Sequence, residues 1–334
     1  MTMLVEEISL KGFRGIRECE EPLKLSKFTV LIGRNNSGKT AVLEALSLLP
    51  FPHLTYPAYG KSKLALIADM HGGSGSLIYG YSGEAVIKYM IDGHEWSVEL
   101  DTAGFKSLYI NGEWQGGASD IGKVLEKNGD PETIERILRE MVFFLPNDTA
   151  IIKKLNDALK GESEYRYPMM KSGANVRVAR ELVNKCVDDV YMEISLRKGV
   201  EPSAKKELPG ERVLDVKLRD LGDGAEKAIL VALWLEALKP RLVLWDDFEA
   251  SAHPSLIREL LAWLSEHDWQ VVLATHSIDV LRALVDVSPN GAQVVLLQKS
   301  ADDVLKARYL SLDELEDFFE AGQDPRYLVE MLKL

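Results

Sequence analysis

One segment of eight residues constrains this chain more than any other feature, because it fits the phosphate-binding pattern G-x-x-x-x-G-K-[ST]. A glycine-rich loop lets backbone N–H groups surround a phosphate chain, while the lysine reaches the β- and γ-phosphates and the hydroxyl that follows ligates Mg²⁺. The flanks fit this interpretation, since residues 27–32 predict a strand and residues 41–46 a helix whose N-terminus faces the anion. The predicted phosphate-binding loop consists of Gly33, Arg34, Asn35, Asn36, Ser37, Gly38, Lys39 and Thr40.

The composition narrows the kind of protein that carries this loop. The chain has 334 residues and a formal net charge of −12, which argues against a surface that is basic throughout. Cys19 and Cys186 are isolated, so we expect neither a disulfide framework nor a CxxC metal pair. The N-terminus lacks a signal-peptide pattern, and the longest apolar run, 228–235, is too short to span a bilayer. We therefore expect a cytoplasmic protein without a membrane partner.

The order of strand and helix signals predicts an α/β fold. Short alternating runs separated by glycine-containing turns predict an antiparallel meander in the first half. From Gly224 onward helices and strands alternate, which predicts a parallel sheet covered by helices. Before Gly224 we expect strands at 76–81, 85–91, 96–100, 107–110, 141–145, 191–196 and 213–218, helices at 119–128, 131–140, 148–160 and 175–190, a polar loop at 162–172 and a charged loop between 196 and 213.

Two acidic residues follow a predicted buried strand. Residues 242–245 are apolar, and Asp246 and Asp247 come directly after them. A carboxylate at such a strand end suits a Mg²⁺ ion bound beside a phosphate loop. We expect Asp246 to hold the metal ion together with Thr40, and Asp247 to act as the general base that polarises the attacking water.

A histidine follows the next apolar strand along the chain. Residues 270–274 form that strand, and His276 lies two residues further on. A single histidine after a strand is usually a surface or capping residue. Its position one strand beyond Asp246 and Asp247 favours another role, in which it hydrogen-bonds the γ-phosphate or the attacking water.

These motifs, in this order, resemble those of the ABC-type ATPases of the SMC/RecF/OLD branch. The similarity rests on residues 8–16, which read I-S-L-K-G-F-R-G-I, on the phosphate loop, and on Glu44-Ala45 after it. It also rests on residues 221–228, 245–254 and 274–277, which are similar to the signature motif, to Walker B with its D-loop, and to the switch histidine. The resemblance covers most of the chain.

The resemblance implies the fold of a P-loop NTPase head of the ABC type, with a mixed sheet. A single head over residues 1–334 would contain a lobe I with an antiparallel meander and a lobe II with helices and parallel strands. Lobe I would take about 1–147 together with the C-terminal strands, and lobe II would take about 148–235, including the signature. Residues 236–334 would then carry Walker B, the switch and the C-terminal segment.

The same resemblance implies ATP and Mg²⁺ as ligands and a homodimer that forms around ATP. Each ATP would lie between the phosphate loop of one head and the signature of the other. The start of the helix opened by Gly222, Asp223 and Gly224 would then face the γ-phosphate held by the partner. Asp148 would belong to the Q-loop that senses metal and water, and Arg14 would contact the nucleotide as an arginine does in some relatives.

The chain also departs from the family pattern. The signature is not L-S-G-G-Q/E, and either Gly222 or Asp223 can take the place of its serine. Asp247 stands where the usual base is a glutamate; its shorter side chain predicts slow turnover, and Glu249 is the next candidate for the base. No coiled coil or zinc-hook motif separates the lobes, and acidic strand ends typical of a TOPRIM nuclease do not follow His276. We therefore expect a stand-alone head without nuclease activity.

Three functions fit these observations. The first is an ATPase that serves DNA repair, DNA maintenance or mobile-element defence and works with a separate effector such as a nuclease. The second is a regulatory ATPase that binds only protein, which the acidic charge favours. The third, less favoured, is the nucleotide-binding subunit of a transporter, which would normally carry a Q-loop glutamine. Direct DNA binding would rest on one candidate basic strip, formed by Lys171, Arg177, Arg180 and Lys185.

Overall fold

Strands contributed by distant parts of the chain form one large mixed sheet. The computed structural model describes residues 5–161, 164–210 and 212–327. The strands are β1 (Val5–Phe13), β2 (Ile16–Cys19), β3 (Leu23–Lys24), β4 (Phe28–Ile32), β5 (Thr55–Tyr56), β6 (Lys61–Ser62), β7 (Glu84–Ile91), β8 (His94–Asp101), β9 (Gly104–Ile110), β10 (Glu113–Trp114), β11 (Val142–Leu145), β12 (Tyr191–Ser195), β13 (Ser203–Leu208), β14 (Arg212–Lys217), β15 (Leu242–Trp245), β16 (Gln270–Ala274), β17 (Ala292–Lys299) and β18 (Val304–Leu310).

Helices cover the sheet and, together with β12, β13 and β14, form the segment between β11 and β15. The α-helices are α1 (Lys39–Ser47), α2 (Lys63–Met70), α3 (Ala118–Val124), α4 (Pro131–Glu140), α5 (Thr149–Lys160), α6 (Arg166–Lys171), α7 (Ala174–Arg177), α8 (Asn184–Cys186), α9 (Asp223–Leu238), α10 (Pro254–Ser265), α11 (Ile278–Val287) and α12 (Leu312–Glu320). A π-helical turn at Val178–Val183 joins α7 to α8, and short 3₁₀ turns lie at Ser74–Leu77, Tyr79–Tyr81, Leu218–Leu221 and Pro325–Tyr327. Within the described residues, no helix is both long enough and apolar enough to cross a bilayer.

The main sheet has an antiparallel half and a parallel half. Its strand order is β10-β9-β8-β7-β1-β2-β18-β17-β4-β16-β15-β11, and β3 pairs with β1 at Glu7 and Ile8. The meander from β7 to β10 is antiparallel, whereas β17, β4, β16, β15 and β11 are mutually parallel. The predicted α/β P-loop fold with a meander and a parallel sheet is therefore confirmed.

The parallel half is the core that carries the predicted motifs. β4, β15 and β16 are buried at every position, as expected for parallel strands covered by helices on both faces. Burial of each large aliphatic side chain there stabilises the fold by roughly 1.5–3 kcal/mol. Because the strands are parallel, the residues that follow Leu145, Trp245, Ala274 and Ile32 all leave the sheet at the same edge.

Several local predictions were wrong. The segment predicted as a strand at 76–81 forms two 3₁₀ turns, because Gly80 and Tyr81 have φ angles of 63° and 60° that a strand does not tolerate. Helix α6 lies in the expected polar loop at 162–172, of which residues 162 and 163 are outside the described part of the chain. The helix expected at 175–190 ends at Cys186 and contains the π-helical turn.

A strand that the sequence did not predict lies in the charged loop between 196 and 213. β13 pairs with β12 on one side and with β14 on the other in a small antiparallel sheet. Lys205 on β13 donates to Glu193 on β12 at 2.7 Å, so opposite charges on neighbouring strands compensate for the unfavourable strand propensity of the segment. β18 and α12, after the last predicted strand, were also not predicted.

The candidate basic strip is partly neutralised. The guanidinium of Arg177 contacts the Glu236 carboxylate on α9, and the His267 ring lies 3.4 Å from the other oxygen of that carboxylate. Burial raises the pKa of Glu236, but the hydrogen bonds from His267 and Arg177 outweigh it and leave this pKa at about 2. Arg177 thus ties α7 to α9, whereas Lys171, Arg180 and Lys185 are exposed.

Candidate nucleotide-binding site

The phosphate loop leaves β4 and enters α1 with a backbone that only glycine can adopt at its first position. Gly33 has a φ angle of 147°, and a methyl group on it would lie 2.4 Å from the carbonyl oxygen of Leu297 and 2.6 Å from Oγ of Ser37. α1 starts at Lys39, directly after the loop, so its unpaired N–H groups point toward the loop concavity. The sequence pattern therefore forms an anion-binding cradle.

Lys39 is held inside the cradle. Its side chain is 5% exposed, and Nζ donates to the carbonyl oxygens of Gly33 at 2.9 Å and Arg34 at 3.2 Å. Burial lowers the pKa of Lys39, and the carboxylates of Asp246, Asp247 and Glu249 only partly offset that effect. The three carboxylates would repel an additional anion bound beside Lys39. A phosphate group would therefore bind there more favourably together with a second cation.

The loop and the β15 strand end are joined by one hydrogen bond. Oγ1 of Thr40 donates to Oδ2 of Asp246 at 2.8 Å, across 206 positions of sequence. Burial raises the pKa of Asp246 to about 6, the neighbouring Asp247 and Glu44 add to the rise, and the hydrogen bond from Thr40 opposes it. Two adjacent oxygen donors, one of them a carboxylate, are the donor type that Mg²⁺ takes from a protein when phosphates and water complete its shell.

Asp247 leaves the strand in a left-handed conformation and points toward the β11 strand end. Its φ angle is 44°, and its N–H donates to Oδ1 of Asp246 at 3.1 Å. Asn147, which follows β11, donates its side-chain amide to Oδ2 of Asp247. The carboxylate that we expect to act as base is thus oriented by an amide from the neighbouring strand end.

Glu249 is fully engaged in holding the switch segment. Its Oε2 accepts from the hydroxyl of Thr275 at 2.7 Å, and its Oε1 accepts from the N–H of His276 at 2.7 Å. Since both oxygens are occupied, the geometry fits an anchoring role for Glu249 better than the role of a base. His276 is exposed, but its ring is partly shielded from water. This partial desolvation and the charges of Lys39 and Arg326 lower the pKa of His276, against the opposing effect of Asp247 and Glu249.

A cleft of about 210 Å³ brings the loop, Asp247 and His276 together with two cations. Arg14 lies in this cleft, and its Nε is 3.0 Å from Oε2 of the buried Glu44, whose other oxygen is 2.5 Å from the His71 ring. Lys299, at the end of β17, donates to the carbonyl oxygen of Gly15 at 2.8 Å. The lining residues are Arg14, Gly15, Ile16, Asn35, Asn36, Ser37, Gly38, Lys39, Thr40, Ala41, Asp247, His276 and Lys299.

The remaining predicted site residues lie elsewhere. Asp148 caps α5 by accepting from the N–H of Ala150 at 2.9 Å, and it lines a second cavity of about 470 Å³ together with Asp223. Gly222 precedes α9, and a methyl group on Gly224 would lie 2.2 Å from the carbonyl oxygen of Ser251. The start of α9 therefore packs on the segment that follows Asp247 rather than on the phosphate loop of its own chain.

Four residues of the site were not singled out as site residues from the sequence. Asn147 reaches Asp247, Lys299 closes the cleft, Glu44 holds Arg14, and Arg326 donates to the His276 carbonyl. Sequence signals existed only for Asn147, which adjoins Asp148, and for Glu44, which lies in the Glu44-Ala45 pair. Lys299 and Arg326 reach the site only through strand and helix packing.

The fold and this cleft together define a P-loop NTPase head of the ABC type. In comparisons with known proteins, the family described as "AAA ATPase domain" matches residues 3–170, and the family described as "AAA domain, putative AbiEii toxin, Type IV TA system" matches residues 192–283. The first match covers half of the chain. This chain belongs to the AAA ATPase domain family.

Individual relatives agree with this assignment. The Old nuclease of Escherichia phage P2 is 24% identical over 382 residues, an alignment that covers 96% of this chain and 64% of the nuclease, so the chain spans less than two thirds of that relative. An Smc head bound to the C-winged helix domain of ScpA superimposes with a TM-score of 0.63 at 17% identity and 94% and 99% coverage of the two chains. An Smc head domain with an extended coiled coil, bound to the C-terminal domain of ScpA and derived from Pyrococcus furiosus, superimposes with a TM-score of 0.60. It is 16% identical, and the match covers 96% of this chain and 99% of that one. The structural likenesses show the fold.

Replacing Gly33 by alanine is expected to distort the phosphate loop. The Cβ atom meets Leu297 and Ser37 in addition to the unfavourable φ angle, so the loop has to move. Gly73→Ala is the matched control, because Gly73 has a φ angle of 129° and no atom within 4 Å of a Cβ. It should lower the free energy of unfolding by about 1–3 kcal/mol through backbone strain alone. Binding of a fluorescent ATP analogue and thermal unfolding report the two effects. Equal affinity of the two variants for the analogue would contradict this account of the loop.

Proposed function

We propose that this protein binds ATP with Mg²⁺ at the cleft between α1 and the parallel strand ends and hydrolyses it slowly. The observation that carries the proposal is the 2.8 Å hydrogen bond between Thr40 and Asp246, because it joins the phosphate loop to the carboxylate of a strand more than 200 residues away. Membership in the AAA ATPase domain family supports ATP as the nucleotide. Asp247 and His276 line the same cleft and supply the polar groups that hydrolysis requires.

Each side chain has a role that follows from its chemistry. Lys39 and the N–H groups at the start of α1 would neutralise the β- and γ-phosphates, and Arg14 would contact the nucleotide from the opposite wall. Asp247, oriented by Asn147, would accept a proton from the attacking water, and His276 would hydrogen-bond the γ-phosphate or that water. Thr40 and Asp246 would hold Mg²⁺, which would supply charge neutralisation at the phosphates.

We further propose that ATP joins two heads into a homodimer. This proposal rests on the position of Gly222, Asp223 and Gly224 at the start of a 16-residue helix. Asp223 lines a cavity that is separate from the phosphate loop. A helix N-terminus attracts anions, so a phosphate presented by a second chain would complement it. Asp148 lines the same cavity and could then sense the nucleotide state through the partner.

The cellular role proposed is DNA repair, DNA maintenance or mobile-element defence in the cytoplasm, with a separate effector protein. The similarity to the Old nuclease supports this branch of activities. β17 ends in Lys299, which binds Gly15, instead of an acidic pair suited to a nuclease metal site. A regulatory ATPase that binds only protein is the alternative, favoured by the net charge of −12 and by the pairing of Arg177 with Glu236.

Lys39→Ala should abolish ATP binding, because it removes the buried charge that faces the terminal phosphates. Lys123→Ala is the control, since the Lys123 side chain is 78% exposed and pairs only with Asp120 on the surface. The measurement is equilibrium titration with a fluorescent ATP analogue. Wild-type affinity and turnover in Lys39→Ala would remove the cleft from consideration as the nucleotide site.

Asp247→Asn should keep ATP affinity within about threefold and slow hydrolysis at least 100-fold, because the amide preserves shape but cannot take a proton. The variant should also form an ATP-dependent dimer most clearly, since bound ATP persists in it. Turnover assays and light scattering with and without ATP and Mg²⁺ test both points, with exposed Asp302→Asn as the control. A monomer at saturating ATP would contradict the dimer, and wild-type turnover would contradict the base.

The purified chain should not cleave DNA and should bind it weakly, with an affinity that falls steeply as salt rises. The reasons are the acidic net charge and the exposed Lys171, Arg180 and Lys185, which offer only a few phosphate contacts. Plasmid cleavage with Mg²⁺ or Mn²⁺ and binding across a salt series are the measurements. Metal-dependent cleavage that survives Lys39→Ala would contradict the need for a separate nuclease.

A further inference from the structure

The peptide groups on both sides of His276 are held by side chains from different parts of the chain. On the N-terminal side, the N–H of His276 donates to Oε1 of Glu249 at 2.7 Å. On the C-terminal side, its carbonyl oxygen accepts from Nη1 of Arg326 at 2.6 Å. Since both contacts involve charged groups, they are stronger than the hydrogen bonds that usually fix a loop.

Arg326 is itself oriented before it reaches His276. Its Nε lies 2.9 Å from Oδ1 and 3.0 Å from Oδ2 of Asp324, and its Nη2 lies 2.6 Å from Oδ2. The backbone N–H of Arg326 also donates to Asp324 at 2.9 Å. This forked pairing leaves Nη1 as the donor that points at the His276 carbonyl. Pro325 between them is buried and fixes the 3₁₀ turn Pro325–Tyr327 next to α12.

We propose that Arg326 is a positioning residue for His276 and that the segment Asp324–Arg326 thereby sets the rate of ATP hydrolysis. The proposal rests on the proposed function of the cleft. The neighbours of His276 are held by other bonds, since the N–H of Thr275 donates to the Leu31 carbonyl oxygen at 3.1 Å and Ser277 caps α11. At His276 itself, the contacts with Glu249 and Arg326 orient the two peptide groups from which the imidazole projects. A displacement of about 1 Å of a catalytic group can lower the rate about 100-fold. We therefore expect the contact of Arg326 with the His276 carbonyl oxygen to affect hydrolysis.

The same contact places a permanent positive charge near the imidazole. The charged groups around His276 are Lys39 and Arg326, which disfavour its protonation, and Asp247 and Glu249, which favour it. Loss of the Arg326 charge should therefore move the protonation of His276 to higher pH. This shift would show that the Arg326 charge lies near the imidazole. A fall in kcat at unchanged KM and unchanged thermal stability would then separate positioning of His276 from a role in packing alone.

The test compares Arg326→Gln with Arg258→Gln, an exposed arginine on α10 that serves as the control. We expect Arg326→Gln to lower kcat about tenfold while KM for ATP and affinity for an ATP analogue change less than twofold. The titration midpoint of the His276 ring, followed by NMR and assigned with a His276→Gln variant, should move to higher pH. Arg258→Gln should change neither quantity.

A second variant keeps the test decisive if Arg326→Gln does not fold. Asp324→Asn retains Arg326 but weakens the fork that orients it, so kcat should fall by a smaller factor, about threefold, at unchanged KM. Wild-type kcat in a folded Arg326→Gln protein would overturn the inference, whatever its His276 titration shows. If Arg326→Gln does not fold, wild-type kcat in a folded Asp324→Asn protein would do the same. If instead the wild-type chain does not hydrolyse ATP, or Lys39→Ala hydrolyses it equally well, the proposed function fails. The NMR shift then still decides whether the Arg326 charge lies next to the His276 ring in solution.

Discussion

Parallel pairing of β11, β15, β16, β4 and β17 is the constraint on which the candidate site depends. It brings the residues that follow five distant strands to one edge of the sheet, which supplies the phosphate loop, Asp246, Asp247, His276 and Lys299. The hydrogen bond between Thr40 and Asp246 is possible only in this register. A shift of one residue in β15 would turn Asp246 to the other face of the sheet.

Concentrated charge is the second property of the site. Lys39 and Asp246 are each 5% exposed, so both are costly to keep ionised without a partner. Burial lowers the pKa of Lys39 and raises that of Asp246 to about 6. Both shifts are expected of a site that binds a phosphate chain and a divalent cation, when these ligands are absent. Burial of apolar side chains in the core of the sheet offsets the free-energy cost of these buried charges.

The predictions from sequence succeeded where a local sequence pattern is compatible with only one backbone structure. The loop from Gly33 to Thr40, the strand before it and the helix after it follow from local chemistry, and so does the buried run before Asp246. The predictions failed where local preference did not decide the structure. The Lys205–Glu193 ion pair helps a charged segment to form a strand, and the positive φ angles of Gly80 and Tyr81 prevent the strand predicted at 76–81. For Glu249, the second candidate for the base after Asp247, the structure adds that its two carboxylate oxygens accept hydrogen bonds from Thr275 and His276.

The sequence by itself determined the phosphate loop, the acidic strand end, the order of the motifs and the α/β class, because each depends on residues that are neighbours along the chain. The tertiary structure alone decided that Asn147 orients Asp247, that Lys299 closes the cleft, and that Arg326 reaches the carbonyl of His276 from 50 residues away. It also decided that α9 begins against Ser251 instead of the phosphate loop. Contacts of this kind depend on the order of the strands and on how the elements pack. They therefore cannot be recognised from the spacing of residues along the sequence.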